Sequence, residues 1–190
     1  MSEGTDPVRE KLEKFVGQPM GAASSAPDPV NVPMIRHWVD ALDDQNPVYL
    51  DEEFAAKTRF GGVVAPPAML QAWGMPRPKI EGIAERGGAP SEMKSENPIT
   101  ALDEEGFVGT LATNSELEFV RYLRPGDQLQ VSNAVDSISE QKTTGMGKGY
   151  FVTWITTYAT PDGEVVGRQL FRVFKFDPST IDLSKLKGAS

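Results

Sequence analysis

The sequence predicts an α+β fold, helices first and an antiparallel sheet after, on three observations. Ile35, Trp38, Val39 and Leu42 behind Pro33 keep the i, i+3, i+4, i+7 spacing that gives a helix one apolar face. The run Pro66-Pro67-Ala68-Met69-Leu70-Gln71-Ala72-Trp73 is almost entirely apolar. Proline suits a helix's first turn, where its missing N–H costs nothing, so a helix starts near Pro66 and should be buried on all sides. From Glu116 onward, long runs rich in β-branched and aromatic residues are separated by Pro-Gly and Pro-Asp-Gly turns. Helices followed by long strands imply a sheet wrapped on a central apolar helix.

In chain order, Asp6 to Val16 reads as a short amphipathic packing arm, with Val8, Leu12, Phe15 and Val16 on one side and Gly17 as its end. Gln18 to Val32, rich in Gly, Ser, Ala and Pro, predicts extended chain with room for one short strand. Asp44-Gln45-Asn46-Pro47 is a turn cluster, because Asp and Asn side chains bond nearby backbone and proline cannot continue the preceding helix. Asp51 to Lys57 is a short helix, and Gly61-Gly62 leads into Val63-Val64-Ala65 and the apolar helix.

Pro76 to Asn114 is long, polar and loop-rich, anchored by scattered apolar residues such as Ile83, Met93, Leu102 and Phe107. So long a connection is a lid, an interface or a packed insertion. Strands are expected over Glu116 to Arg124, Asp127 to Ser139, Phe151 to Tyr158 and Val165 to Phe176, joined as long antiparallel hairpins through Pro125-Gly126 and Thr160-Pro161-Asp162-Gly163. Gly145-Met146-Gly147-Lys148-Gly149 lacks the following helix and the Lys-Ser/Thr pair of a phosphate loop. It reads as a hairpin end, with Lys148 a candidate contact for an acyl carrier's phosphates. Asp177-Pro178 closes the sheet, giving one domain over 1–178 and a polar tail or linker over 179–190.

The formal charge of −8 argues against nucleic-acid and anionic-membrane binding, both of which need a basic surface. Cysteine is absent, which excludes disulfides and thiolate metal sites. Apolar runs stay short of the roughly 18 residues of a membrane span. Met1 to Gly17 lacks the basic start and apolar stretch of a secretory leader, so the cytoplasm is the expected address. His37 is the single histidine, on the predicted second helix, and any imidazole chemistry must use it.

The stretch Asp44 to Trp73 resembles the signature of the MaoC-like hydratases of the hot-dog fold, roughly G-D-x-N-P-x-H-x-D, an intervening A and F-G, then A-H-G-M. Asp44, Asn46, Pro47, Asp51, Ala55, Phe60, Gly61 and Ala65 match it in spacing. The resemblance extends more loosely through Leu123-Arg124-Pro125-Gly126-Asp127 and the final strands. In the family, an Asp and the His five residues later hold the water that adds to a trans-2-enoyl thioester of coenzyme A or acyl carrier protein. The N–H of the Gly in A-H-G serves the thioester oxygen. Here Asp44 is present, Tyr49 replaces the His, and Pro67 stands at the Gly and has no N–H to donate.

The resemblance therefore implies the degenerate subunit of a heteromeric enoyl-CoA hydratase, like those of steroid side-chain degradation, shaping the acyl pocket while a partner hot-dog subunit supplies the Asp/His pair. In such subunits a zinc-ribbon and OB-fold domain often follows, and the polar tail would be the start of its linker. The expected substrate is a coenzyme A thioester, with no separate cofactor and no metal. Tyr49, Pro66, Met69, Trp73 and Lys148 are the expected substrate contacts, and Asp44, Tyr49 and Pro67 the degenerate catalytic positions. Two other functions remain open: a hydratase active by itself through Asp44 with Tyr49 or His37, and a non-enzymatic acyl-binding scaffold. A tyrosine of ordinary pKa near 10 is a poor base at neutral pH.

Overall fold

The computed structural model describes residues 6–75, 78–82 and 96–181. Most helix starts are written in the sequence as a capping Asp or Asn with proline or an acidic residue in the first two helical positions. Asp6 opens α1 (Pro7–Glu13), its Oδ1 accepting from the N–H groups of Val8 at 3.1 Å and Arg9 at 3.0 Å. Asn31 caps α2 (Val32–Leu42), which ends on Asp43 at φ 52°, in the left-handed region. Asn46 caps α3 (Pro47–Leu50), Asp51 caps α4 (Glu52–Ala56), and a 3-10 turn (Pro67–Met69) runs into α5 (Leu70–Trp73). Asn97 and Thr100 form a reciprocal capping box on α6 (Pro98–Glu104).

The strands are β1 (Ser24–Ser25), β2 (Gly109–Phe119), β3 (Gln130–Ile138), β4 (Lys142–Thr144), β5 (Gly147–Ala159) and β6 (Val165–Phe176). They form one antiparallel sheet in the order β1-β3-β5-β6-β2, with β4 paired to the start of β5. The β5–β6 hairpin falls where the sequence places it, while the expected hairpin end at Gly145 to Gly149 narrows to Gly145-Met146, because Gly147 to Gly149 pair with β4 and β5 starts four residues before the expected Phe151. The first expected hairpin does not form: β2 pairs with β6 and β3 with β5, so Tyr122 to Leu129 crosses the sheet from one side to the other. β2 also begins seven residues before the expected Glu116. Its start, Gly109 to Ser115, is too polar to read as a strand and becomes one by pairing with β6 around a bulge at Thr113.

Period-two alternation puts Tyr150, Val152, Trp154, Thr156 and Tyr158 of β5 on one face, and two apolar clusters cover its two ends. Ile35 and Val39 of α2, Val48 and Tyr49 of α3, and Met69, Leu70 and Trp73 pack with Leu129, Val131, Tyr158 and Val166 at one end. Leu12 of α1 and Leu102 of α6 pack with Tyr150, Val152 and Val173 at the other. Between them runs a polar ladder. Thr156 Oγ1 donates to Asn133 Oδ1 at 2.6 Å, Tyr158 Oη to Gln169 Oε1 at 3.2 Å, and Gln169 Nε2 to Ser115 Oγ at 2.9 Å. At the far end Lys175, 1 % exposed, donates to Asp103 Oδ1 at 2.5 Å and Thr110 Oγ1 at 2.8 Å.

Two expectations for the helices change as well. The apolar helix buries Met69, Leu70 and Trp73 but leaves Ala68 and Gln71 exposed, so it is buried on one face and not all round. Leu42 is exposed, because α2 ends immediately after it. Residues 76–77 and 83–95, with the anchors Ile83 and Met93, lie outside the described residues, as does 182–190 of the expected tail.

The apolar helix seats on the sheet at Gly167, where a Cβ would stand 2.5 Å from Leu70 Cδ2 and 2.8 Å from the Glu118 carbonyl. Gly167→Ala should therefore cost about 1–3 kcal/mol of stability, read from the urea midpoint, and Leu70→Ala in the same background should restore part of the loss. An unchanged midpoint for Gly167→Ala would show that the helix does not sit so close.

Candidate functional site

The signature residues gather at the α2/α3 end of the sheet. Asp44 is committed to its own turn: its Oδ1 accepts the Asn46 N–H at 3.1 Å, and Asn46 Oδ1 in turn accepts the Val48 N–H at 3.2 Å. This is the local bonding that Asp-x-Asn-Pro favours. Tyr49, presented by α3, is buried among core residues. Burial first, then Tyr122 and the Asp44 carboxylate, raise its pKa above the ordinary phenol value, against an opposing bond with Asn46. At neutral pH the phenol is a neutral hydrogen-bonding group and not a base.

Gly61, at φ 67°, turns the chain toward Val63, and the Ala65 N–H then donates to the Leu123 carbonyl at 2.8 Å. That bond fixes where the Pro66-Pro67 pair enters the 3-10 turn. The Leu123 to Asp127 segment is itself held by Arg121. The Arg121 guanidinium donates to Asp127 Oδ2 at 2.7 Å, to Glu164 at 2.8 and 3.0 Å and to the Tyr122 carbonyl at 3.1 Å, and its pKa is raised, chiefly by Glu164 and then Asp127. Asp127 also accepts the Arg124 N–H at 2.8 Å, and Arg124 Nη2 donates to the Phe60 carbonyl at 2.5 Å.

Between α2, α3 and this turn lies a cleft of about 430 Å³, lined by Val32, Arg36, Tyr49, Leu50, Glu52, Val63, Arg124 and Pro125. Of the expected site residues it brings in Tyr49 alone. Met69 and Trp73 are core, Pro66 is buried and Pro67 half-buried at the turn's start. Lys148 is exposed at the opposite end of β5, ten residues and on the order of 30 Å from Tyr158, which packs in the same cluster as Tyr49. His37 is exposed on α2 and does not line the cleft. Sequence reasoning missed Arg36 and Arg124. The signal that pointed to Arg124 was its place in the Leu123-Arg124-Pro125-Gly126-Asp127 turn; Arg36 sits one turn after Val32 on the same helix face, within a helix read only for its apolar side.

The cleft thus offers two guanidiniums, one carboxylate, a neutral phenol and apolar walls, without an imidazole. Among the described residues no group of three His, Cys, Asp or Glu side chains suits a metal ion, and no helix is long and apolar enough to cross a membrane.

Residues 14–169 match the model of the FAS1-like dehydratase domain region. The chain belongs to this family. It is 44 % identical over 179 residues to a probable enoyl-CoA hydratase alpha subunit of Thermomonospora curvata, covering 94 % of this chain and 54 % of that protein. It is 36 % identical over 173 residues to the 3-oxo-4,17-pregnadiene-20-carboxyl-CoA hydratase alpha subunit of Mycobacterium tuberculosis, covering 88 % of this chain and 53 % of the relative. The chain therefore spans about half the length of these curated relatives. A chain of the ChsH1–ChsH2 complex from Mycobacterium tuberculosis superposes with a TM-score of 0.76 at 33 % identity, over 92 % of this chain and 99 % of that one. The fold is the MaoC-like hot-dog.

The raised pKa of Tyr49 has a direct consequence. A group whose folded pKa lies above its unfolded value contributes stability below the unfolded pKa, about 10, and that contribution is lost as pH rises through the folded value. Alkaline titration of phenolate absorbance should show Tyr49 ionising only above about pH 10, with that ionisation missing in Tyr49→Phe. A Tyr49 phenolate near neutrality would overturn the assignment of a neutral phenol.

Proposed function

We propose that this chain is the non-catalytic hot-dog subunit of a heteromeric enoyl-CoA hydratase. It packs beside a partner hot-dog subunit that carries the intact Asp/His pair and adds water to a trans-2-enoyl-CoA, with the reaction in the cytosol. The observation that carries this reading is the state of the inherited catalytic positions: the Asp44 carboxylate closes its own turn, Tyr49 is a buried neutral phenol where a base is needed, and Pro67 offers no N–H. General acid–base work needs a group of matched pKa within reach of water, and the oxyanion needs a donor. Neither is supplied here. The names of the two alpha-subunit relatives support a heteromeric assembly, and the pregnadiene carboxyl-CoA in one of them supports a bulky, steroid-like acyl group as substrate class. No cofactor beyond the thioester substrate enters this reading.

The sheet supports a docking place for the partner. β2 ends the sheet, is exposed along nearly its whole length, and carries Leu111, Leu117 and Phe119 exposed, followed by Val120. A long exposed edge strand that carries apolar side chains invites pairing with another sheet.

The purified chain should be inactive on enoyl-CoA and gain hydratase activity when mixed with an Asp/His-bearing hot-dog partner; Leu117→Lys should abolish co-elution with that partner in gel filtration. Turnover by the isolated chain would defeat the proposal. Restoring chemistry should need two changes. Tyr49→His alone should stay nearly inactive, because a missing oxyanion donor costs about 3–4 kcal/mol of transition-state stabilisation, and Tyr49→His with Pro67→Gly should exceed it in enoyl-CoA hydration. Equal rates in the single and double variants would remove Pro67 from the oxyanion position.

A further inference from the structure

We propose that the cleft between α2, α3 and the Leu123–Asp127 turn binds the phosphates of coenzyme A between the guanidinium groups of Arg36 and Arg124. The inference rests on the enoyl-CoA hydratase reading and deepens it by giving this chain the charged end of the substrate.

The chain has 27 acidic and 19 basic residues, so a guanidinium without a carboxylate is not the default. Arg9, Arg121 and Arg168 all have one. Arg59 lies over the Phe60 ring, and Arg172 donates to Thr153 Oγ1 at 3.0 Å. Among the described residues Arg36 and Arg124 form no ion pair, yet both line the same cleft, from elements far apart in the chain. Arg124 is also held in place. It stands on the turn that Arg121 and Asp127 clamp, and its bond to the Phe60 carbonyl uses one donor of five. Its remaining donors are pre-placed, and the planar fork of arginine fits phosphate oxygens in pairs.

The rest of the wall fits the same ligand. Val32, Leu50, Val63 and Pro125 give apolar surface for the pantetheine arm, and Tyr49 offers a neutral O–H. A volume of about 430 Å³ holds a diphosphate with part of its attached groups. Glu52, also in the lining, repels an anion, which leaves Arg36 and Arg124 as the cleft's anion-attracting groups.

The test compares two substrates in the assembled two-subunit hydratase: an enoyl-CoA and the matching N-acetylcysteamine enoyl thioester, which has no phosphate. In Arg36→Gln and in Arg124→Gln the ratio of kcat/KM for the CoA thioester to that for the truncated thioester should fall about tenfold each, with the change in KM. Arg36→Gln lies on an exposed helix surface, so it reports even if Arg124→Gln loosens the turn. An unchanged ratio in Arg36→Gln overturns the proposal. Calorimetric titration of coenzyme A into the full chain keeps this separate from the catalytic reading: about tenfold weaker binding by Arg36→Gln supports the site even if the assembly hydrates neither thioester. Equal binding by wild type and variant refutes it, as does inorganic phosphate binding as tightly as coenzyme A.

Discussion

One arginine holds the site together. Arg121 sits where the crossover from β2 to β3 passes the β5–β6 turn, and its guanidinium binds Asp127 on one and Glu164 on the other. Its side chain and that of Asp127 are largely shielded from solvent, so the bonds are screened less than an ordinary surface pair. Other contacts depend on this one in turn. Asp127 fixes the Arg124 N–H, Leu123 takes the Ala65 N–H, and Arg124 donates to the Phe60 carbonyl, so the 60–67 segment is set in place from the crossover. The entry of the central helix and one wall of the cleft are both positioned from this contact.

The sheet solves a second constraint by dividing its covered face. Two apolar clusters at its ends are separated by the Ser115–Gln169–Tyr158 and Thr156–Asn133 bonds, which let polar side chains be buried with partners. At one end α2, α3 and the Leu123 to Asp127 turn make the cleft. At the other, α1 is tied down by Tyr150 donating to Asp6 at 2.9 Å, and α6 by Lys175 to Asp103. The buried ammonium of Lys175 is matched at once by a carboxylate and a hydroxyl, which is what makes a lysine in a sheet core tolerable. β2 lies beyond both clusters, which explains why its apolar residues stay uncovered within a single chain.

Features with a local cause were legible in the sequence. Caps at Asp6, Asn31, Asn46, Asp51 and Asn97 depend on neighbours within three residues, and the β5–β6 turn depends on Thr160 to Gly163, so pattern and chemistry sufficed. Features decided by distant contacts were not. Gly109 to Ser115 is a strand because β6 is beside it, and β2 and β3 separate because β5 and β6 fill the space between them. The signature residues were legible as a motif. Their surroundings were not: Arg36 and Arg124 become neighbours of Tyr49 only when the crossover folds over α2.

The residues at the family's catalytic positions each have a structural role in this fold. Asp44 is needed as a turn acceptor whether or not it ever holds water, because the Asn46 N–H would otherwise lack that partner. Tyr49 fills the space beside Val48 and the α2 stripe with a ring whose neutral form costs little to bury, where a charged imidazolium would suffer a large desolvation penalty. Pro66 and Pro67 enter a helix start that asks for no N–H from them and stiffen it. Tyr49 and Pro67 thus supply neither an imidazole nor a backbone donor, while α3 and the 3-10 turn still form around them. On the proposed reading, a subunit of this kind shapes a cleft while its partner makes the bonds. The guanidiniums of Arg36 and Arg124 line that cleft together with the neutral phenol of Tyr49, and on the proposed reading they carry this chain's charged contacts with its substrate.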